Sequence, residues 1–286
     1  MQIPDNLAWL RQSEAGERWL ASLPRLVSEL TQQWDLRLTG PSLGGYVSYV
    51  VPADRHGVPV VLKVQWPDDE CEYEADALRV WDGAGAVRLL AHDAVRHALL
   101  LERCLPGSAL AAAPEVDPLA VLVGLLPRLW KPVGRPFRPL SEEAHGWAKT
   151  LYADWETAGK PCERKLIDAT AAFLAELADD QGEQVLVHQD LHGENVLAAE
   201  REPWLVIDPK PLAGERAFSL APIIRSGEFG HSQAAVTYRL DRLSAELGID
   251  RKRACGWTIA QTIAWSFDGP NANRMHETAR WLLATM

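Results

Sequence analysis

Apolar residues recur at intervals of three and four near the start of the chain, at Trp19, Leu20, Leu23, Leu26, Val27 and Leu30, which predicts one or two helices over the first forty residues. From Leu38 the period changes. Ser42 to Val51 and Val58 to Val64, together rich in valine and tyrosine, are separated by Asp54, Arg55, His56 and Gly57, the pattern of a hairpin. Pro67 and Asp68 read as a helix start, with Glu70, Glu74, Leu78 and Trp81 along one stripe behind them. Ala86 to Ala91 and Val95 to Arg103 bracket His92 and Asp93 as a further hairpin, completing a five-stranded set. Past a small-residue stretch with Pro106, Gly107 and Pro114, the pattern becomes helical. Asp117 with Pro118, Ser141 with Glu142 and Glu143, and the run Cys162 to Asp180 mark three helices, and three more patterns follow toward the C-terminus. Between these groups Val196 to Ala199 and Trp204 to Ile207 flank the polar tetrad Glu200, Arg201, Glu202, Pro203, a hairpin with a four-residue loop. The expectation is an α+β chain. Residues 1–104 form an antiparallel five-stranded lobe with one central helix and preceding helices, and residues 105–286 form a mostly helical lobe.

Composition narrows the partners. A length of 286 residues is enough for a large core in one domain or two lobes. The net charge of −10 and the absence of a basic cluster with interleaved aromatics argue against a nucleic-acid surface, and an acidic balance suits a cationic small molecule. Cys71, Cys104, Cys162 and Cys255 are scattered without a C-x-x-C pair, which predicts a reducing cytoplasm rather than a zinc site or disulfide framework. MQIPDNLAWL lacks the features of a signal peptide, and the best apolar run, Leu119 to Leu126, is far short of the ~20 residues that span a membrane. No obligate protein partner is evident in the sequence. Most of the twelve tryptophans are expected in the core, and a pocket with aromatic walls would also use them.

The candidate chemistry is concentrated between Val185 and Pro211. An apolar run ends in His188, Gln189 and Asp190, giving H-x-D-x-x-x-x-N with Asn195, followed by the strand-borne Asp208. If Ala199 faces Trp204, counting back pairs Asn195 with Asp208, roughly 4.5 to 5.5 Å apart at Cα. An amide oxygen and a carboxylate at that spacing can share one hard cation. This is the arrangement of a kinase catalytic loop and its metal hairpin, in which Asp190 serves the acceptor hydroxyl while Asn195 and Asp208 hold Mg2+ on the ATP phosphates. His188 is expected to brace the loop by hydrogen bonding rather than transfer protons. Lys63, inside VVLKV, takes the α and β phosphates on the same reading, and Glu74 is its expected partner, because an acid on the inward stripe of Leu78 and Trp81 needs a cation. LGGY suits a flap over phosphates, with Gly44 and Gly45 allowing close approach and Ser48 near the tip, although a Walker A sequence is absent.

The wording VHQDLHGENVL followed by VIDPKP resembles the aminoglycoside phosphotransferase family, whose fold is related to the protein kinases. IDPKP, GERAFSLAPIIR and WSFDG are most similar to its streptomycin 6-phosphotransferase and hydroxyurea-resistance kinase group. The resemblance implies a bilobal protein-kinase-like fold. It also implies transfer of the γ-phosphate of ATP, with Mg2+, to a hydroxyl of a small molecule such as streptomycin or hydroxyurea. By position it places the adenine edge on backbone groups of Glu102 and Cys104. It implies that Glu215 helps hold the catalytic loop, while Ser219 cannot. Acceptor contacts are expected from His192, Glu194, Trp265 and Asp268, with His192 equally suited to bracing the loop. Pro209 replaces the Phe of a D-F-G motif, and no A-P-E segment follows, so a protein substrate is disfavoured. The alternatives are a sugar or amino-alcohol kinase, a nucleotide-binding pseudokinase scaffold, and a metal hydrolase built on His188, His192 and Asp208. The pseudokinase is disfavoured because Lys63, Asp190, Asn195 and Asp208 are all present.

Overall fold

A computed structural model describes residues 3–68, 71–267, 269 and 271–286. The chain divides into two compact units, Met1–Gly107 and Ser108–Met286.

In the first unit a 3-10 helix, Asp5–Gln12, leads into α1, Glu14–Gln33. The Ser13 side chain accepts a hydrogen bond from the Gly16 N–H and caps this helix. Five strands follow in an antiparallel sheet: β1 (Arg37–Leu38), β2 (Ser48–Arg55), β3 (Val58–Gln65), β4 (Leu89–Asp93) and β5 (Ala98–Glu102), in the order β1-β2-β3-β5-β4. The amphipathic face of α1 buries Leu20, Leu23 and Leu30 with Val51, Ala53, Leu62, Val64 and Leu100 in one apolar cluster. Alternation along β3 therefore turns Lys63 to the opposite face from Leu62 and Val64. Helix α2, Glu74–Trp81, follows β3 and buries Leu78 and Trp81.

Four boundaries differ from the sequence expectation. His92 and Asp93 lie within β4, with Asp93 paired to Ala98, so the second hairpin turns at residues 94–97. Arg55 pairs with Val58, so the first hairpin turns on two residues, His56 and Gly57, both at positive φ, rather than on the tetrad from Asp54. Ser42 to Val47 is not strand, because Gly44 and Gly45 at φ +102° and +125° interrupt the extended chain before β2 begins. Helix α2 starts at Glu74 rather than beside Pro67, after a turn at residues 71–73; Glu70 lies outside the described residues.

The second unit carries α3 (Pro118–Leu129), α4 (Leu140–Thr157) and α5 (Arg164–Leu177), then β6 (Val185–His188), β7 (Val196–Ala198), β8 (Trp204–Val206) and β9 (Pro211–Gly214). It closes with α6 (Ala221–Arg225), α7 (Gln233–Leu247), α8 (Arg251–Ala264) and α9 (Ala272–Leu283). Pro118 at the first turn and the Asp117 carboxylate, which accepts from Leu119 and Ala120 N–H, start α3. Strands β6 and β9 pair with each other, as do β7 and β8. Every residue from Ala254 to Ile263 is buried, so α8 runs through the middle of this unit.

Arg239, on α7, is 1% exposed and ends on main-chain oxygens. Its Nε and Nη2 donate to Ile224 O, and its Nη1 donates to Phe229 O and Gly230 O, at 2.9 to 3.0 Å. Burial pushes its pKa down to about 10. One guanidinium thus fixes the turn between α6 and α7. Arg239→Met leaves these carbonyls without donors and is expected to lower unfolding free energy by about 2 to 4 kcal/mol. A urea melt should show a lower midpoint at unchanged slope; an unchanged midpoint would refute the assignment.

Candidate active site

In the first unit the Lys63 Nζ meets Glu74 Oε2 at 2.6 Å, with side chains only 5% and 1% exposed. Gln65 Nε2 donates to the same oxygen at 2.7 Å. Lys63 comes from β3 and Glu74 opens α2, so the pair ties helix to sheet. An ammonium and an amide donor thus share the buried Oε2 of this carboxylate. The glycine loop precedes β2 in the same unit. A Cβ at Gly45 would lie 2.4 Å from the Ser48 carbonyl oxygen, so only glycine fits there. The N-terminal 3-10 helix supports this loop: Trp9 Nε1 donates to Tyr46 O at 2.9 Å, Asn6 donates to Gly45 O, and the Trp9 and Tyr46 rings stack at 5.2 Å. Ser48 is a correction. It is the first residue of β2 and 2% exposed, whereas Tyr46, 72% exposed, is the residue that projects from the loop. Glu102 ends β5 and its carboxylate accepts from Arg88 N–H at 3.0 Å, while Cys104 just beyond it is buried.

In the second unit β6 delivers His188 to the start of the loop, 2% exposed. Its Nδ1 faces two donors, Asp190 N–H at 3.1 Å and Lys210 N–H at 3.4 Å, so Nδ1 is the acceptor and Nε2 carries the hydrogen. Nε2 then donates to Ile207 O at 3.3 Å. Both ring nitrogens are thereby occupied, which removes His188 from any metal hydrolase site. Burial holds its pKa down to about 4, against the opposing pull of Asp190 and Asp208. From α8, Gln261 Nε2 donates to Gln189 O at 2.7 Å and supports the loop from beneath.

The Asp190 carboxylate is flanked by two cations and an imidazole. Arg225 Nη2 lies 3.4 Å from Oδ1, Lys210 Nζ 3.6 Å from Oδ2, and His192 Nε2 4.0 Å from Oδ1. Trp265, which caps α8, lies under both long cations, with the Arg225 guanidinium 4.7 Å and the Lys210 Nζ 5.6 Å from its ring centre. Asp268 lies outside the described residues.

The hairpin expected to hold the metal is shifted by one residue from expectation. Ala198, not Ala199, pairs with Trp204, and Ala199 N–H closes on Pro203 O, giving a five-residue connection. Asn195 consequently stands opposite Ile207, whose N–H donates to Asn195 O at 3.0 Å. Asp208 sits just past β8 at φ +52°, where the chain bends out of strand geometry. Asn195 bonds through its nitrogen alone, to Asp190 O at 2.9 Å and His192 Nε2 at 3.3 Å, and its Oδ1 has no hydrogen bond among the described residues. An unoccupied amide oxygen and the Asp208 carboxylate are hard oxygen donors, a set that suits Mg2+.

Two further side chains complete the site, neither among the residues singled out from the sequence. Arg225, the last residue of GERAFSLAPIIR, is one. The other is Glu228, whose Oε1 meets His192 Nδ1 at 2.9 Å and whose Oε2 accepts from Gly193 N–H at 2.7 Å. Burial opposes the His192 cation, but this bond and the Asp190 and Glu228 charges outweigh it and raise the pKa. Both lie more than thirty residues from the loop in sequence, so spacing offered no signal for them. Glu194 is exposed on the short turn Gly193–Asn195. Glu215 does not hold the loop: its carboxylate accepts from Arg253 at 2.7 and 2.9 Å and from Trp257 Nε1, fastening α8. Ser219 Oγ accepts from Trp130 Nε1. A cleft of ≈ 290 Å³ opens beside Asp190, walled by His192, Arg225, Glu228, His231 and Arg274.

The fold and this loop define a phosphotransferase of the protein-kinase-like class. A structure of a thermostable mutant of aminoglycoside phosphotransferase APH(4)-Ia, in ternary complex with ADP and hygromycin B, superposes with a TM-score of 0.62 over 90% of this chain and 96% of the other, at 16% identity. The chain belongs to the aminoglycoside/hydroxyurea antibiotic resistance kinase family, whose family model matches residues 33–268. It is 39% identical to the streptomycin 6-kinase of Streptomyces glaucescens, over 95% of this chain and 93% of that protein. It is 42% identical to the hydroxyurea phosphotransferase of Kitasatospora aureofaciens, over 87% and 74% respectively.

The His188 arrangement has a pH signature. The folded-state pKa of about 4 lies below the ordinary 6.5, so the neutral ring stabilises the fold fully above pH 6.5, and this contribution is lost as pH falls toward 4. The two values correspond to roughly 3 kcal/mol at most. Chemical denaturation across this window should show a steeper loss for the wild type than for His188→Asn, which retains an acceptor near the Nδ1 position but cannot be protonated there. Parallel curves would contradict the neutral, doubly accepting Nδ1.

Proposed function

We propose that this kinase transfers the γ-phosphoryl group of ATP, with Mg2+, to a hydroxyl of streptomycin, a related aminocyclitol, or hydroxyurea. The observation that carries the reading is the Asp190 carboxylate, held by its loop at the edge of an open cleft. Asp190 would orient the acceptor hydroxyl and take its proton as the O–P bond forms, a role that contributes ~10² to 10⁴ in rate. Asn195 and Asp208 would hold Mg2+, which when bound neutralises phosphate charge. Lys63, fixed by Glu74, would bind the α and β phosphates. Gly44 and Gly45 would let main-chain N–H groups approach the phosphates, and the main chain at Glu102 and Cys104 would meet the adenine edge. Trp265 and His192 would border the acceptor.

The relatives that act on streptomycin and hydroxyurea support this acceptor class. The cleft contains both signs of charge, Asp190 against Arg225 and Arg274, so it can meet donor and acceptor groups on one small molecule. A cytoplasmic setting belongs to the proposal, since ATP is there and the four cysteines lack a disulfide pattern. Among the described residues no helix is long and apolar enough to cross a membrane.

ADP release with Mg-ATP, measured against streptomycin, other aminoglycosides, hydroxyurea and simple sugars, tests the reading. Turnover on streptomycin or hydroxyurea, reduced ~10² to 10⁴-fold in kcat by Asp190→Asn at little-changed KM, is the expected result. Turnover confined to a sugar, or an Asp190→Asn enzyme at full rate, would overturn it.

A further inference from the structure

Asn195 can serve a metal only if its oxygen, not its nitrogen, is kept available, and the surrounding hydrogen bonds decide which. The Asp190 carbonyl can only accept, so the atom 2.9 Å away is the amide nitrogen of Asn195. The second amide hydrogen faces His192 Nε2 at 3.3 Å, which makes that ring atom an acceptor. A neutral His192 then carries its hydrogen on Nδ1, 2.9 Å from Glu228 Oε1. The other end of the chain requires the same tautomer, because an ionised carboxylate accepts and does not donate. Glu228 Oε2 is also committed, to Gly193 N–H at 2.7 Å. A Cβ at Gly193 would lie 2.7 Å from that oxygen, so glycine is what permits the approach.

We propose that Glu228 is a positioning residue for Mg2+: by accepting the Nδ1–H of His192 it selects the tautomer whose bare Nε2 holds the Asn195 amide with its oxygen turned to the ion. The proposal rests on the metal-binding role given to Asn195 above. Glu228 touches neither substrate nor metal in this scheme. Its place is fixed by Arg239, which gathers the carbonyls of Ile224, Phe229 and Gly230 on either side of it.

A glutamine of the same shape cannot replace it, since both Glu228 oxygens receive N–H donors and glutamine has one acceptor atom. Its NH2 would oppose the Gly193 N–H, or else donate to His192 Nδ1 and drive the ring hydrogen to Nε2, against the Asn195 amide. Either arrangement loses a link. Outer partners of metal ligands are typically worth about 10- to 100-fold in metal affinity.

The test uses the full chain. Mg2+ is titrated into the protein with a non-hydrolysable ATP analogue, and His192 is followed by 15N NMR in the metal-free protein at mildly alkaline pH. The wild type should show the Nδ1–H tautomer. Glu228→Gln should weaken Mg2+ by about 10- to 100-fold while leaving metal-free nucleotide affinity unchanged. In a His192→Phe background the same substitution should have no further effect, because the link through residue 192 is already broken. A wild-type Nε2–H tautomer overturns the proposal alone and stands as a result even if the variant does not fold. Unaltered Mg2+ affinity in Glu228→Gln, or an equal loss in the His192→Phe background, also overturns it. Failure of the wild type to bind Mg2+ with the nucleotide overturns both this proposal and the role of Asn195.

Discussion

A buried, uncharged imidazole joins the parts of the Asp190 loop. His188 accepts the N–H groups of Asp190 and Lys210 and donates to the Ile207 carbonyl, so one side chain satisfies three main-chain groups where water is excluded. Those groups belong to the loop after β6, the lead into β9 and the end of β8. The positions of Asp190 and Asp208 therefore depend on the same ring. A charged ring would fail here twice, through desolvation and through the loss of the Nδ1 lone pair.

Charge is buried in two other ways elsewhere in the chain. In the first unit Lys63 and Glu74 neutralise one another between strand and helix. In the second unit Arg239 is surrounded by carbonyl oxygens. That array shapes the turn bearing Arg225 and Glu228, and these two residues hold opposite parts of the Asp190 loop: Arg225 the Asp190 carboxylate, Glu228 the His192 imidazole and Gly193 N–H. The turn thus contributes to the loop's geometry as well as to the wall of the cleft.

The net charge of the chain is a poor guide to that wall. A value of −10 suits a cationic acceptor, yet the cleft sets Arg225 and Arg274 beside Asp190 and Glu228. Whole-chain charge acts over distances at which salt screens it, whereas selection at a cleft is made by groups in contact. Family membership accordingly defines the chemistry more sharply than the acceptor.

Much of the fold was legible because it depends on local rules. The helical spacing of Leu20, Leu23, Val27 and Leu30, the start at Asp117 and Pro118, and the inward stripe of Glu74, Leu78 and Trp81 all rest on periodicity and capping that neighbours along the chain decide. H-x-D-x-x-x-x-N was legible for the same reason, its members being few residues apart. The boundaries were less so. Positive φ at Gly44 and Gly45 shortened β2 at its start, the two-residue turn at His56 and Gly57 lengthened it at its end, and the five-residue β7–β8 connection shifted a register by one; such bends are settled by how the flanking strands pair. By itself the sequence determined the element types, the H-x-D-x-x-x-x-N spacing and the need of Glu74 for a cation. Only the tertiary structure decided that Glu215 fastens α8 while Glu228 and Arg225 hold the loop, because hydrogen bonds between residues far apart in the chain are chosen by packing, to which sequence spacing gives no access.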